Sequence, residues 1–523
     1  MKNFKRNMKV ILVMMLSLTL LLSACSKGNE DNASSTSNED PTGQKEVVLK
    51  GYLLGEAPKG MPEVLETLNK KLKKDINATI ELNYISWGDV QSKYPLLLAT
   101  GEDLDFIFSA DWNYYVEQSN KGAFYELKPE DIAKYMPKKS AAMDSAAWEE
   151  AKINDKIYMI PKTTPDSNVF VSVLRKDIMA EAGLTEVKHL SEIGSYLEAV
   201  KKNHPNMVGL NLDSQVDLPT PYQHLMREKV GFTGGSLGGG PLSQGAAFDF
   251  TDPSSGKIYS MVEEPYLSAQ KYAANIMKDW YDKGYVNKNP YANKIRSKDN
   301  FVEGKSAVAF GNSIDIAATI EAAEAKGIET YIIPSLMPNG KVPMGNHIGA
   351  GISIAANSKN PERVMQAFDL IMEDPSYVYL TYFGIEGKNY VVKDDKVGLP
   401  EGLTAETNTY PPDSAGFWFV NKALFKPMST WPKTYIDFWE KQDEYNTSDY
   451  ALNGFNFNTE NVKTQIANLA NASTQYANPI YIGAVKDVDK AFDELNKNLS
   501  SAGLEKVKEE AQTQVDAFLT KKK

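Results

Sequence analysis

The sequence predicts an α/β protein. Two periodicities alternate along residues 47–122: short apolar runs with the two-residue repeat of a strand, and longer stretches with apolar residues three and four apart, as on one face of a helix. Glycines close most of these runs, where an element must stop. Length agrees, since 523 residues suffice for two or three domains, each with its own core.

In order, 47–54 reads as a strand ending at Gly55. Pro62 sits where a helix can start, because its missing N–H is not needed there. Val64, Leu65, Leu68, Leu72 and Ile76 follow at helical spacing. Residues 79–84 alternate, with Ile80, Leu82 and Tyr84 on one face of a strand. A helix over 89–99 stops near Gly101, 105–109 is a short buried strand, and 112–121 is a helix ending at Gly122. This β-α-β-α-β-α order predicts a parallel sheet with helices on both faces.

After a more irregular middle, 169–174 is a strand, 176–182 a short helix before Gly183, and 191–203 a longer helix. Residues 231–240 form a glycine-rich loop beside a hairpin near 248–258. A helix over 266–283 follows, then strands at 306–310, 331–334 and 348–355, and a helix from Asn360-Pro361 to Met372. The C-terminal stretch is all helical, over 458–476, 487–499 and 504–519, with stripes such as Val488, Phe492, Leu495 and Leu499. The sequence has no internal repeat.

Cys25 is the only cysteine, and it closes an apolar segment. Lys2, Lys5, Arg6 and Lys9 precede that segment, and 10–22 is apolar except for Ser17 and Thr19. It is shorter than the ~20 residues of a membrane-spanning helix and has the form of a signal peptide. Leu22-Ser23-Ala24-Cys25 resembles the bacterial lipobox, an aliphatic residue and two small ones before the cysteine. The expectation is a signal peptide over 1–24, cleavage before Cys25, and a lipid on its thiol. Each buried CH₂ is worth ~0.8 kcal/mol, so two or three acyl chains hold where one would not. Residues 25–45 then form a solvated tether, since 26–45 is rich in Ser, Asn, Asp, Glu, Thr and Gly and has no Val, Leu, Ile or Met. The expected location is the extracellular face of the cell membrane, lipid-anchored, as in a Gram-positive bacterium.

Composition excludes other classes. The net charge of -11 moves to -15 once the four cations of 1–24 are removed. Nucleic acid, whose phosphates demand a basic face, is thereby disfavoured, as is broad contact with anionic headgroups. No cysteine remains for an intramolecular disulfide.

Open α/β sheets bind ligands at the carboxyl ends of their strands. Here those places hold Ser86-Trp87, Asp111-Trp112 and Asn346-His347. Indole faces stack on the apolar face of a sugar ring, and Asp and Asn supply paired hydrogen bonds to hydroxyls. Trp418, after a proline-rich loop, and Trp431 are further loop tryptophans. The candidate ligand-binding residues are therefore Trp87, Asp111, Trp112, Asn346, Trp418 and Trp431, while Trp280 and Trp439 read as core. Enzyme motifs fail. Gly304-Lys305-Ser306 ends like a phosphate-binding loop, but position 299 is Asp where Gly is required. Gly234-Gly235-Ser236-Leu237-Gly238 matches the nucleophile elbow only in letters, since it lies in a glycine tract. His189, His204, His224 and His347 share no metal-ligand spacing. No catalytic residue, cofactor or metal is expected.

Lipobox, tether and α/β order together resemble the family 1 extracellular solute-binding proteins of bacterial ABC importers. The segments 383–390 (Phe-Gly-Ile-Glu-Gly-Lys-Asn-Tyr) and 453–457 (Asn-Gly-Phe-Asn-Phe), with the helical end after them, resemble its LipO-type branch, which carries a C-terminal domain of unknown function, and 101–108 is similar to the family. The resemblance implies a two-lobe, periplasmic-binding-protein-like (Venus flytrap) fold with hinge crossings. Lobe one would hold 46–163 and 332–378, lobe two 164–331 and 379–452, and 453–523 would be a helical module packed on lobe two. It implies a non-enzymatic, monomeric receptor that passes a sugar or oligosaccharide to ABC permease subunits. Capture of a peptide or other polar solute is the near alternative. A surface glycoside hydrolase or lyase, which needs only two carboxylates, is the distant one.

Overall fold

The strand Val47–Leu54 pairs in parallel with Ala78–Ile85 on one side and with Phe106–Ser109 on the other. The structure is a computed structural model. It describes residues 43–522 except Glu102, 166–168, Gln215, 232–245, 249–251, Pro253, Glu406, Asp449 and Asn456. Cys25, the signal segment, the tether through 42 and most of the glycine-rich 231–240 loop lie outside the described residues. Residues 44–523 form one unit.

Register in the first sheet is fixed where Gly51 meets Phe106, because a Cβ at 51 would lie 2.1 Å from the Phe106 ring. The helix Met61–Ile76 covers one face through Met61, Val64, Leu68, Leu72 and Ile76, all buried at helical spacing. The sheet is mixed, where the sequence pattern predicts a parallel one. Gly351–Ile354 runs antiparallel to Phe106–Ser109, and Ile160–Pro161 runs antiparallel to it in turn. The reason is the path of the chain: it returns to this sheet from the second lobe, at the edge where the parallel strands end, and must run the other way.

The second lobe is built on three antiparallel strands, Phe170–Arg175 between Val308–Asn312 and Thr330–Pro334. One face joins a large core with Leu174, Tyr196, Phe310 and Trp280. The other face buries Val169, Val171 and Val173 against Tyr435 and Phe438. The helices Lys463–Tyr476, Val488–Ala502 and Leu504–Lys522 share the large core through Leu469, Phe492, Leu495 and Val507. Asp487 caps the second of these by accepting the Lys490 N–H (3.1 Å), and Gly503 ends it in the left-handed conformation.

Four expectations need correction. Residues 379–428 pack on lobe one instead of lobe two. The helix Pro375–Phe383 is apolar nearly all round, so it must be buried, and Tyr377, Val378, Leu380 and Phe383 enter the lobe-one core. The segment after it is stitched there by Gly60 N–H to the Thr409 carbonyl (2.8 Å) and Tyr84 hydroxyl to the Ala415 carbonyl (3.0 Å). Residues 332–334 belong to the lobe-two sheet. The helix expected from Trp112 begins only at Tyr115, because Ala110 accepts the N–H groups of Asn113 and Tyr115 in a turn and Tyr114 has φ 59°. Trp439 is 42% exposed, so it is not core.

Candidate functional site

The two sheets face each other by edges the chain itself identifies. It leaves lobe one after Pro161, at the edge where Ile85 and Ser109 end, and enters lobe two at Phe170, beside the ends of Val308–Asn312 and Thr330–Pro334. It returns from Pro334 to Gly351, again at that lobe-one edge. A third passage lies between Met428, which packs on lobe one, and Trp431, which packs on lobe two.

Three of the expected tryptophans meet at the lobe-one edge. Trp87 stacks on Trp418 with centroids 5.6 Å apart and planes 17° apart. It also meets Trp112 at 6.3 Å. Phe108 lies beneath them, 5.7 Å from Trp112 and 5.4 Å edge-on to Trp418. Each partner ring is tied by its indole N–H: Trp112 donates to the Gly349 carbonyl (2.8 Å) and Trp418 to the Asp413 carbonyl (3.0 Å). Yet Trp87 and Trp112 remain 57% and 55% exposed, about the largest side chains a protein can leave in water. Rings held this firmly, two of them left this open, form an apolar platform.

Asp111 and Asn346 also come together. The Asn346 carboxamide donates to Asp111 Oδ2 (2.7 Å), the Trp112 N–H donates to Oδ1 (2.8 Å), and Asp111's own N–H reaches the Ile348 carbonyl (2.9 Å). Asp111 as a whole residue is exposed, yet loss of water around its carboxyl raises its pKa; the Asn346 and Trp112 hydrogen bonds and Lys162 pull it back, and Glu150 pushes it up. Glu150 Oε2 accepts from both the His347 backbone (2.7 Å) and its Nδ1 (3.0 Å). Gly349 permits this crowding, because a Cβ there would stand 3.3 Å from Lys162 Nζ and from Asn346 Oδ1.

Trp431 is not brought to this platform. Pro432 opens the helix Lys433–Trp439, and the Trp431 ring folds onto Tyr435 (4.8 Å) and Trp439 (5.2 Å) on lobe two. The sequence reading missed Phe108, which supports the rings, and Glu150 and Lys162, which surround Asp111. It also missed Val216 and Ile295, exposed at 47% and 53% on the facing lobe-two edge. Their loops are stitched by Ser214 N–H to the Asn293 carbonyl (3.0 Å) and Asn211 to the Ile295 carbonyl (2.9 Å). Arg296 ties both loops to the middle of Val308–Asn312 at the Phe310 carbonyl (3.3 Å) and to Asp315 just past its end (3.1 Å). The missed signals are an aromatic between alternating strand residues and apolar residues in polar loops, neither distinctive alone.

Comparison with known proteins agrees with this geometry. The family model described as bacterial extracellular solute-binding protein matches residues 67–376, more than half of the chain. A domain of unknown function, DUF3502, matches 451–520, the terminal helices. A carbohydrate ABC transporter substrate-binding protein of Streptococcus pneumoniae is 25% identical over 96% of this chain and 96% of its own. The polygalacturonan/rhamnogalacturonan-binding protein YtcQ of Bacillus subtilis is 25% identical over 74% of each. Among solved structures, the N-glycan transport solute-binding protein NgtS of Streptococcus pneumoniae superposes with a TM-score of 0.73 at 23% identity, covering 91% of this chain and 100% of that one. The two-lobe fold is thus the periplasmic-binding-protein-like one, and these relatives are named as binding proteins, one of them of a carbohydrate ABC transporter. The chain belongs to the bacterial extracellular solute-binding protein family.

Proposed function

We propose that this protein captures a carbohydrate between its lobes and delivers it to an ABC permease. The observation that carries the reading is the platform of Trp87, Trp112 and Trp418, open to solvent beside the Asp111–Asn346 pair. A sugar ring offers an apolar face to the indoles and a rim of hydroxyls to the carboxylate and carboxamide. Relatives whose names run from N-glycans to polygalacturonan support the carbohydrate class. Lobe closure over the ligand creates the form a permease reads. The same reading places the mature chain on the outer face of the membrane, as a monomer held by lipid on Cys25, with 26–45 as its tether. A thermal-shift screen of residues 26–523 against mono- and oligosaccharides, peptides and osmolytes tests it. Stabilisation should grow as RT ln(1 + [L]/Kd) with a sugar and without product formation. A peptide hit with no sugar hit would sink the substrate class, and consumption of the sugar would sink the receptor reading.

A further inference from the structure

We propose, resting on the carbohydrate reading, that Phe170 is the lobe-two ring that closes over a sugar docked on the indoles. Side chains of Phe170–Arg175 alternate between the two faces of their sheet. Val171 and Val173 take the side of Tyr435 and Phe438. Phe170, Ser172 and Leu174 take the other, where Leu174 enters the large core and the Ser172 hydroxyl meets His224 Nδ1 (3.0 Å). At Phe170 that core has run out. The helix Thr220–Arg227 ends here, and its last turn meets the ring with His224, centroids 6.4 Å apart, and with the Arg227 guanidinium, 5.6 Å from the ring centre. Phe170 is left 44% exposed, while the four residues after it are buried.

The ring is exposed but not loose. Asn312 pairs with Phe170 on one side, and on the other the Ser335 N–H donates to the Phe170 carbonyl (2.8 Å). Arg227 also donates to the Ser335 hydroxyl (2.8 Å), which fixes the guanidinium over the ring. Among the described residues of lobe two, Tyr281, Tyr291 and Trp439 are exposed rings as well, but they stand on helices or in a loop, and Phe170 is the one carried on a strand of the sheet. Its place in the chain matters equally. The first crossing enters lobe two at Phe170 and the second leaves it at Ser335. The indoles stand where the second crossing reaches lobe one, since Asn346 and Gly349 bond Asp111 and Trp112. Bending these crossings therefore moves the two aromatic surfaces toward each other or apart. Roughly 90 Å² of a phenyl side chain of about 200 Å² is open, and covering all of it with the apolar face of a sugar strengthens binding by up to about 40-fold.

The test is calorimetry and stopped-flow fluorescence on residues 26–523 with the tightest-binding of a panel of neutral and acidic tri- to pentasaccharides. Phe170→Ala should weaken binding at least threefold and up to about 40-fold, with the melting curve lowered by a few degrees at most. The loss should lie in the dissociation rate, because docking on the indoles precedes contact with this ring. Phe170→Leu keeps apolar bulk beside Arg227 without the flat face. It should also lose at least threefold, and it carries the test should the alanine variant not fold. Less than a threefold loss in a folded variant, or a loss carried by the association rate, overturns this inference alone. A panel with no binder to the unaltered chain overturns the carbohydrate reading, and this inference with it.

Discussion

Trp112→Ala separates binding from folding, because the two effects draw on different parts of one ring. Trp112 is 55% exposed, so less than half of a side chain of about 250 Å² is buried in the protein itself. At ~25 cal/mol per Å², roughly 110 Å² gives an upper bound of about 3 kcal/mol. The indole bond to the Gly349 carbonyl (2.8 Å) adds about 1 kcal/mol. In a chain with cores this extensive, that is a fall of a few degrees in Tm with the fold intact. The exposed part is what a ligand would cover. Truncating a tryptophan that anchors an interface costs about 2 kcal/mol or more, which is at least about 30-fold in Kd. Calorimetry with the tightest sugar from the thermal-shift screen reads the loss, and circular dichroism with a melting curve reads the fold. Affinity within threefold of the unaltered chain, at an unchanged melting curve, would refute the placement of the ligand on this platform.

Three further outcomes follow from particular contacts. Trp431→Ala should leave sugar affinity within twofold of wild type while lowering Tm, since its ring packs on Tyr435 and Trp439 of lobe two; a large loss of affinity would restore it to the site. Lys139 is fully buried, donating to Glu373 (2.9 Å) and Thr163 (2.7 Å), so Lys139→Met should cost about 3 to 5 kcal/mol in urea unfolding by stranding a buried carboxylate. Lys139→Met with Glu373→Met should recover much of that, and a double variant as unstable as the single would contradict the account. Burial pushes the Lys139 pKa down to about 8, against the partial restoring pull of Glu373. The folded state then holds fewer protons than the unfolded state between pH 8 and 10.5, so this group's contribution rises with pH. From pH 8 to 9.5 the gain, relative to Lys139→Met, should be on the order of 2 kcal/mol; identical slopes in the two proteins would rule it out.

Met61–Ile76 and Ala78–Ile85 were legible because each is amphipathic in a single way. The stripe Val64, Leu68, Leu72 in Met61–Ile76 and the alternation in Ala78–Ile85 each leave one face to bury, and periodicity alone locates it. The direction of Gly351–Ile354 was not legible, because a four-residue strand buried on both faces carries no record of which way it runs. Nor was the lobe of 379–428: the run from Tyr377 to Phe383 says that it is buried, and only tertiary packing says where. The same division holds at the site. Trp87 and Asp111-Trp112 were legible from the strand-end rule, which needs only local order. Trp431 obeyed the weaker rule that loop tryptophans serve function, and Tyr435, one turn into the next helix, offered it a closer partner.

The misplaced segment alters how binding must work. Were 379–452 all on lobe two, Trp418 would approach Trp87 only as the lobes close, and the platform would exist only in the closed form. Since Trp418 reaches lobe one, stacked on Trp87 and edge-on to Phe108, all three indoles belong to one packed body. The platform is complete before closure, so a sugar can dock without waiting for a rare conformation, and the rings lose little freedom on binding. It also follows that stacking cannot by itself close the lobes, because a ligand shifts an equilibrium only through contacts that differ between the two states. The driving contacts must come from lobe two, where the exposed apolar side chains include Phe170 (44%), Val216 and Ile295. On the proposed function, affinity and closure would then belong to different lobes: indoles on one would hold the ring, and apolar side chains on the other would gain cover only when the cleft shuts over it.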